Sequence, residues 1–309
     1  ESQLIAYTAQ EILRKGYQPA VLYRSHHQSR SIEETLVRNN IAYHIIGGIE
    51  FYQRQEIKDV LAYLRLLVNP FDRISWTRIC NTPSRMLGSK FQEEFIQAWR
   101  NEPFLTHFDI ADRLQSSLPK RKKEALQRFT HVFENLSAEQ SAAEVCDAIL
   151  DRTGYYEHLN ATYETEEARE KQSNINELQR ALHARPETSV HGFLEDITLM
   201  QSQKQNQDTE EAIQLMTLHA AKGLEFHTVI LSGLEEGIFP SKKARSNDEA
   251  LEEERRLFYV GLTRAQEYVL LSHARYRTTF GTVTDNPPSR FLSELPEHLV
   301  RSEHINWWN

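Results

Sequence analysis

Three short apolar runs in the second half of the chain, Gln214–Leu218, Thr228–Leu231 and Tyr268–Ser272, read as buried strands. Between the first two lies a polar turn holding His219, Lys222, Gly223 and Glu225. Between the second and third, LEEERRLFYVGLTRA (Leu251–Ala265) reads as a helix that carries Arg255 and Arg256 and ends in Thr263-Arg264-Ala265. Strand, polar turn, strand, helix and strand is the grammar of a parallel α/β sheet, whose strand ends bind ligands. The beginning of the chain is written the same way. Glu1–Lys15 has Leu4, Ile5, Ile12 and Leu13 on one helical side, Gly16 ends it, and Ala20–Tyr23 is a short buried strand. Ser31 and Glu34 have the spacing of a capping box for a helix over Ile32–Asn39. Ile41–Ile46 is the next strand, and Gly47-Gly48 breaks it.

From Gly47 the period changes. Ile57, Val60, Leu61, Leu64, Leu67 and Val68 follow helical spacing, and Asn69-Pro70 ends that helix. Helices are predicted over Trp76–Cys80, Phe91–Trp99, Lys122–Leu136 and Ala142–Leu150, with Gly154, Pro186 and Gly192 separating later ones. No strand pattern occurs up to about Met200. Gln201–Glu211 is polar and aperiodic, which predicts a linker or loop. The expected fold class is therefore α/β: a parallel sheet formed by 1–46 and 210–309, interrupted by an all-helical subdomain over 47–209.

Composition adds bounds. At 309 residues the chain can hold two cores. Its 39% hydrophobic and 26% charged content is ordinary for a globular protein. No apolar run approaches the roughly 20 residues a membrane helix needs. The start lacks the basic and apolar regions of a signal peptide. Cys80 and Cys146 stand far apart with no CxxC, which argues against a zinc site or a disulfide scaffold and for a reducing, cytoplasmic setting. Their ordinary reading is small buried apolar residues. The net charge of −8 lowers the expectation of nucleic-acid binding, without excluding a local basic groove on an acidic protein.

The motifs raise that expectation again. TLHAAKGLEF, EEGIFP and EEERRLFYVGLTRA, together with AVLYRSHHQSR (Ala20–Arg30), GGIEFYQRQEIKDVLAYLRLL (Gly47–Leu67) and PPSRFLSELP (Pro287–Pro296), resemble the late motifs of the UvrD/PcrA/Rep superfamily 1 DNA helicases. The resemblance covers nearly the whole chain and is thinnest from about Phe104 to Asp208. It implies a RecA-like motor domain, commonly called 2A, carrying a helical insertion called 2B. It also implies an ATP-dependent 3′→5′ helicase or translocase that binds single-stranded DNA and its junction with duplex.

The resemblance assigns roles residue by residue. Arg264, in the TRA motif, matches the arginine finger that neutralises charge on the transferring phosphoryl group. The ordinary alternative is a helix-terminal Arg complementing the dipole. Glu225 matches the glutamate that binds the nucleotide's ribose, with Gly223 in the same turn; a carboxylate suits two hydroxyls and repels phosphates. Thr217, His219 and Lys222 match the segment that lines the DNA groove and couples it to the nucleotide site. Arg24, Ser25 and His26 follow the first strand, at a turn that contacts the single strand; the family usually has Asn where His26 stands. Phe280, in TTFG, matches an aromatic stacking platform for bases, against the alternative of a core aromatic. Ser289 and Arg290 look like backbone-phosphate ligands. Arg85 and Gly88 lie in a TPSRMLG segment similar to a hairpin that approaches duplex phosphates, but Met86 stands at its first glycine, where a side chain obstructs close approach. Lys120–Lys123 and Glu252–Glu254 read as a solvated helix face and as salt bridges with a helix cap.

Two features expected of a complete motor are missing from the sequence. There is no GxxxxGK[ST] phosphate loop, and no acidic pair at a strand end for magnesium. ATP and Mg2+ then belong to the intact enzyme, with none bound tightly by this chain alone and no metal site in it. The partners implied are DNA, an N-terminal motor domain of the same protein, and repair or replication proteins; no membrane is expected. The first helix has no capping residue ahead of it, so a fragment is expected. A stand-alone, non-catalytic DNA-binding or protein-docking module is the alternative, and a nuclease-linked relative finds no acidic constellation to support it.

Overall fold

The computed structural model describes residues 1–205, 212–279 and 282–302. These residues fall into two compact units, Glu1–Gly48 with Gln207–Asn309, and Ile49–Asn206. In chain order the first unit opens with α1 (Ser2–Arg14), β1 (Pro19–Tyr23), α2 (Ser29–Arg38) and β2 (Tyr43–Ile45). The second unit follows with α3 (Gln55–Val68), α4 (Arg73–Ile79), α5 (Ser89–Asn101), α6 (His107–Gln115) and α7 (Lys120–His131). It continues with α8 (Ala142–Thr153), α9 (Tyr155–Thr162), α10 (Thr165–His183) and α11 (Val190–Gln205). The first unit resumes with β3 (Ile213–Thr217), β4 (Phe226–Leu231), α12 (Asp248–Leu262), β5 (Ala265–Leu271), β6 (Tyr276–Thr279) and β7 (Thr282–Asp285).

Five strands form one parallel sheet in the order β2-β3-β1-β4-β5. The central strand β1 is buried along its whole length, which is why it reads as a continuous apolar run. On one face Leu257 and Phe258 of α12 share a core with Leu22, Met216 and Leu231. Gly261 lets α12 come close, since a Cβ there would sit 2.6 Å from a Leu218 carbon and 2.8 Å from a Leu231 carbon. The start of α12 is set by Asn247, whose side chain accepts from the backbone N–H groups of Glu249 and Ala250 at 3.0 and 3.1 Å. Glu252–Glu254 therefore do not cap it.

Several boundaries differ from the sequence reading. β5 begins at Ala265, three residues before the apolar run, because Ala265 already pairs with Phe226 although Gln266, Glu267 and Tyr268 are exposed. α2 begins at Ser29, since a 3-10 turn over His26–Gln28 flows into it. The expected Ser31–Glu34 capping box is therefore not formed: Ser31 lies inside the helix, and Glu34 pairs with Arg30 and Arg38. Instead the Ser25 backbone N–H donates to Gln28 Oε1 at 2.8 Å, at the head of the 3-10 turn. α11 runs through Gly192 and on to Gln205, so the first half of the polar segment is helical, as its Gln and Lys residues permit. The remainder, 206–211, lies outside the described residues. Beyond β5 the pattern ends in a separate antiparallel pair, β6–β7, which the sequence reading did not anticipate.

The helical unit is built round α3, where Ile57, Leu61 and Leu64 are fully buried. Trp76 stacks on Phe95 at 4.0 Å and meets Trp99 and Phe129 edge-on. A polar seam ties α3 to its neighbours. Asp59 accepts from Arg78 Nε and from the Tyr155 hydroxyl, each at 2.6 Å, while Glu56 accepts from Asn174 Nδ2 at 2.6 Å.

His107 makes this unit sensitive to acid. Its ring is fully buried among Trp99, Phe108, Phe129 and Phe133, with Nδ1 3.0 Å from the Pro70 carbonyl oxygen. Burial pushes the imidazole down to about 4 from its ordinary 6.5, against the smaller opposing effect of the Pro70 bond. The folded state thus keeps His107 neutral while the unfolded chain takes up a proton below pH 6.5. Stability is fully present above that pH and falls as pH drops toward 4, by about 3 kcal/mol in all. Urea titrations at stepped pH check this: His107→Phe should flatten the loss between pH 6.5 and 4, and an unchanged slope would assign it to the carboxylates.

Candidate functional site

The candidate residues of the sheet unit gather at its two opposite edges. At the carboxyl ends of the strands, Arg24, Ser25 and His26 follow β1, and Thr217 ends the adjacent β3, paired with Tyr23. The Leu218 N–H donates to the Tyr23 carbonyl at 2.9 Å, keeping the two exits side by side. The glycine pair after β2 closes on both. A Cβ on Gly48 would lie 2.9 Å from His26 Cε1, and one on Gly47 would lie 3.1 Å from the Ala220 Cβ. Three loops thus converge here, and glycine is what allows the approach.

The side chains at this edge are differently committed. The Thr217 hydroxyl is buried and accepts from the Ala220 N–H at 3.2 Å, so it holds the turn. His219 and Lys222 are exposed, and Lys222 makes no ion pair among the described residues. Desolvation at the turn, then the Arg24 charge, lowers the His219 imidazole from its ordinary value. Arg24 is the largest surprise. Its Nε and Nη2 grip the nearly buried carboxylate of Glu254, on α12, at 2.8 to 3.1 Å.

A second group continues along the loops after β4 and β7. Ser289 is buried, and its hydroxyl accepts from the Phe291 N–H, so it caps the turn 290–294 and is not presented to a ligand. Arg290 is exposed, and its Nε and Nη2 each donate to Glu236 at 2.9 Å. Glu236 also takes the Arg290 backbone N–H at 3.0 Å and Arg245 Nε at 3.1 Å. Its neighbour Glu235 is fully buried and holds the β6–β7 pair through Arg277. Phe280 lies outside the described residues.

At the opposite edge, where β4 and β5 begin, stand Glu225 and Arg264. The Phe226 N–H donates to the Arg264 carbonyl at 2.9 Å, joining the two strand entries. Arg264 donates from Nε to the Val260 carbonyl at 3.1 Å, from Nη1 to the Leu224 carbonyl at 3.0 Å, and from Nη2 to the Thr263 hydroxyl at 3.1 Å. Among the described residues it makes no ion pair. Glu225 is exposed and accepts from Gln266 Nε2 at 3.5 Å. Gly223, at φ +86° with open space around it, is needed for its left-handed backbone. The same side carries a file of rings that no motif flagged: Tyr17 stacks on His227 at 3.6 Å, and His227 meets Tyr268 at 5.9 Å.

Arg85 and Gly88 belong to the helical unit. Arg85 is buried and donates to the carbonyls of Ile79 and Pro83 and to the Tyr63 hydroxyl, so its guanidinium braces the loop and is not offered to a duplex. Gly88 is the N-cap of α5 with an ordinary φ of −66°. The left-handed position is Met86, at φ +65°, with its side chain exposed.

Sequence reasoning missed Glu235 and Glu236, each of which holds an arginine. A paired EE within an apolar segment, LEEGIF, is the signal that could have shown them. Glu254 lies in the run read as salt bridges, but its partner is Arg24, distant in the chain, and not the adjacent Arg255 or Arg256. Among the described residues no group of three or more His, Cys, Asp or Glu side chains could hold a metal ion, and no helix is long and apolar enough to cross a membrane.

Comparison with known proteins agrees with the motifs. The family of UvrD-like helicase C-terminal domains matches residues 1–276. The chain is 41% identical over 307 residues to the ATP-dependent DNA helicase PcrA of Bacillus subtilis, covering 95% of this chain and 41% of that protein. It is 38% identical over 300 residues to DNA helicase II of Salmonella typhimurium, covering 93% and 41%. It is 37% identical over 306 residues to the ATP-dependent DNA helicase UvrD1 of Mycobacterium tuberculosis, covering 91% and 39%. The chain thus spans about two fifths of the length of these relatives.

Proposed function

The chain belongs to the family of UvrD-like helicase C-terminal domains, and on that premise we propose that it is the C-terminal motor half of an ATP-dependent 3′→5′ DNA helicase or translocase. Its RecA-like sheet is domain 2A, and the helices of 47–209 are the inserted 2B. The carboxyl edge, with Arg24, His26, His219, Lys222 and Arg290, meets single-stranded DNA near its junction with duplex. The opposite edge, with Glu225 on the ribose and Arg264 on the γ-phosphate, meets ATP in a site completed by an N-terminal motor domain of the same protein. The proposed enzyme works in the cytoplasm on DNA under repair or replication.

The observation that carries this reading is the unspent charge of Arg264. Arg24, Arg277 and Arg290 are each held by a glutamate, whereas Arg264 is held only by carbonyls and a hydroxyl. Neutral acceptors orient a guanidinium without cancelling its charge, which is what stabilising a phosphoryl transition state requires. Among the described residues no cluster of acidic or imidazole groups offers a site for the magnesium expected with the nucleotide. The two edges are mechanically joined. From Glu254, α12 runs on to its end at Leu262, about 12 Å of helix, with Arg264 just beyond it, and 218–225 crosses from the end of β3 to the start of β4.

The test is ATP hydrolysis by this chain alone, with single-strand binding followed by anisotropy across a salt series. No hydrolysis is expected. Binding should weaken with salt, by about 0.7 in log–log slope for each phosphate contacted. Hydrolysis that vanishes in Arg264→Ala would mean that the nucleotide site is complete in this chain and that the motor-half reading is wrong.

A further inference from the structure

Two arginines of the carboxyl edge are held in the same way. Arg24 gives its Nε and Nη2 to Glu254, and Arg290 gives its Nε and Nη2 to Glu236. In both pairs the acid is the inner partner. The side chain of Glu254 is 6% exposed against 25% for Arg24, and that of Glu236 is 11% against 41% for Arg290. A guanidinium has five N–H donors and two edges that can fork a pair of oxygens. The glutamate takes the Nε side, and the Nη1–Nη2 edge of each arginine has no partner among the described residues. Each acid is also fixed from behind: Glu254 by its place on α12, and Glu236 by the Arg290 backbone N–H and Arg245.

We propose that Glu254 and Glu236 are positioning residues for single-strand binding: each holds its arginine by one edge so that the other edge meets a backbone phosphate, and each cancels a charge so that the contact is readily exchanged. The inference rests on the single-strand reading of this edge. An arginine aimed but neutralised gives geometry without strong long-range pull. A strand passing over such contacts finds two donors at each phosphate step, yet releases few counterions on binding. That combination suits a strand that must slide. A bare arginine would grip harder and let go more slowly.

The experiment uses the intact parent protein with a fluorescein-labelled oligo-dT, its affinity read across a salt series. Glu254→Gln and Glu236→Gln keep shape and one acceptor but remove the cancelling charge. Each should tighten binding at low salt and steepen the log–log slope by about 0.7, the increment of one more phosphate contact on a single strand. Glu254→Asp keeps the charge and should keep the wild-type slope. A merely structural glutamate would be disturbed by both changes and would not move the slope with charge. Arg24→Gln supplies the reference and should make the slope shallower by a similar amount. Slopes unchanged or shallower in both Gln variants, with Arg24→Gln behaving as expected, would overturn the inference and leave the single-strand reading standing. If Arg24→Gln and Arg290→Gln also leave slope and affinity unchanged, the arginines do not touch phosphate. The reading of this edge then falls, and the inference with it.

Discussion

Arg264→Ala in the intact parent enzyme is expected to lower single-strand-stimulated ATP turnover by about 10³-fold or more, with single-strand affinity unchanged. The size follows from what the side chain does. Charge spreads over the γ-phosphate oxygens in the transition state, and one correctly placed guanidinium carries much of its stabilisation. Three neutral acceptors, Val260, Leu224 and Thr263, fix the plane of the Arg264 guanidinium and use one hydrogen from each nitrogen. One N–H on each terminal nitrogen is left over, in the fork geometry that fits two phosphate oxygens. Arg264→Lys should restore little, because an ammonium on a flexible stem cannot keep those three acceptors and still present a fork. DNA affinity is spared because the candidate single-strand contacts lie at the other sheet edge. Single-turnover hydrolysis with saturating oligo-dT is the measurement; near-normal turnover would remove Arg264 from the nucleotide site.

How much of this was legible in the sequence depends on the range of the interaction. β1, β3 and β4 could be read as apolar runs because they are buried, and burial leaves its mark on every residue of a parallel strand. The start of β5 could not, since an edge strand is defined there by backbone pairing with Phe226 and its side chains stay polar. The entry of α2 was read one turn late because a Ser followed three residues on by a Gln or Glu occurs twice: Ser25 with Gln28 heads the 3-10 turn that leads into the helix, while Ser31 and Glu34 fall inside it. At the site, the glycines and the TRA arginine stood out through local pattern. The partners of the acids did not. Salt bridges were expected at Glu252–Glu254, but Glu254 meets Arg24 across 230 residues, and Arg277 meets Glu235 across 42, so nothing near either acid in the chain names its arginine.

Glu235 is where that hidden pairing has its largest consequence for stability. Its carboxylate is fully buried and accepts from Arg277 Nε at 2.6 Å, Arg277 Nη2 at 2.7 Å, the Ala274 backbone N–H at 2.7 Å and Asn286 Nδ2 at 3.2 Å. These partners lie within β6 or beside β6 and β7, so one side chain fastens that antiparallel pair to the end of β4. Glu235→Ala should cost about 3–5 kcal/mol, the range for breaking a buried charge pair from one side. Arg277 would lose this partner while keeping Glu1, and the Ala274 N–H would lose its acceptor. Replacing both partners separates the net value of the pair from the penalty of orphaning one member. Glu235→Met with Arg277→Leu removes both charges at similar volume, and should recover most of the loss. Glu1 would remain satisfied in that double variant by the Gly233 N–H at 2.7 Å and the Ser272 hydroxyl at 3.1 Å. Urea unfolding of the three proteins gives the energies. Hydrogen exchange locates them: amides of β6 and β7 should lose protection in Glu235→Ala before those of β1 do. A single variant costing less than about 1 kcal/mol, the worth of an exposed pair, would mean that water reaches this carboxylate and that the β6–β7 pair is fastened elsewhere.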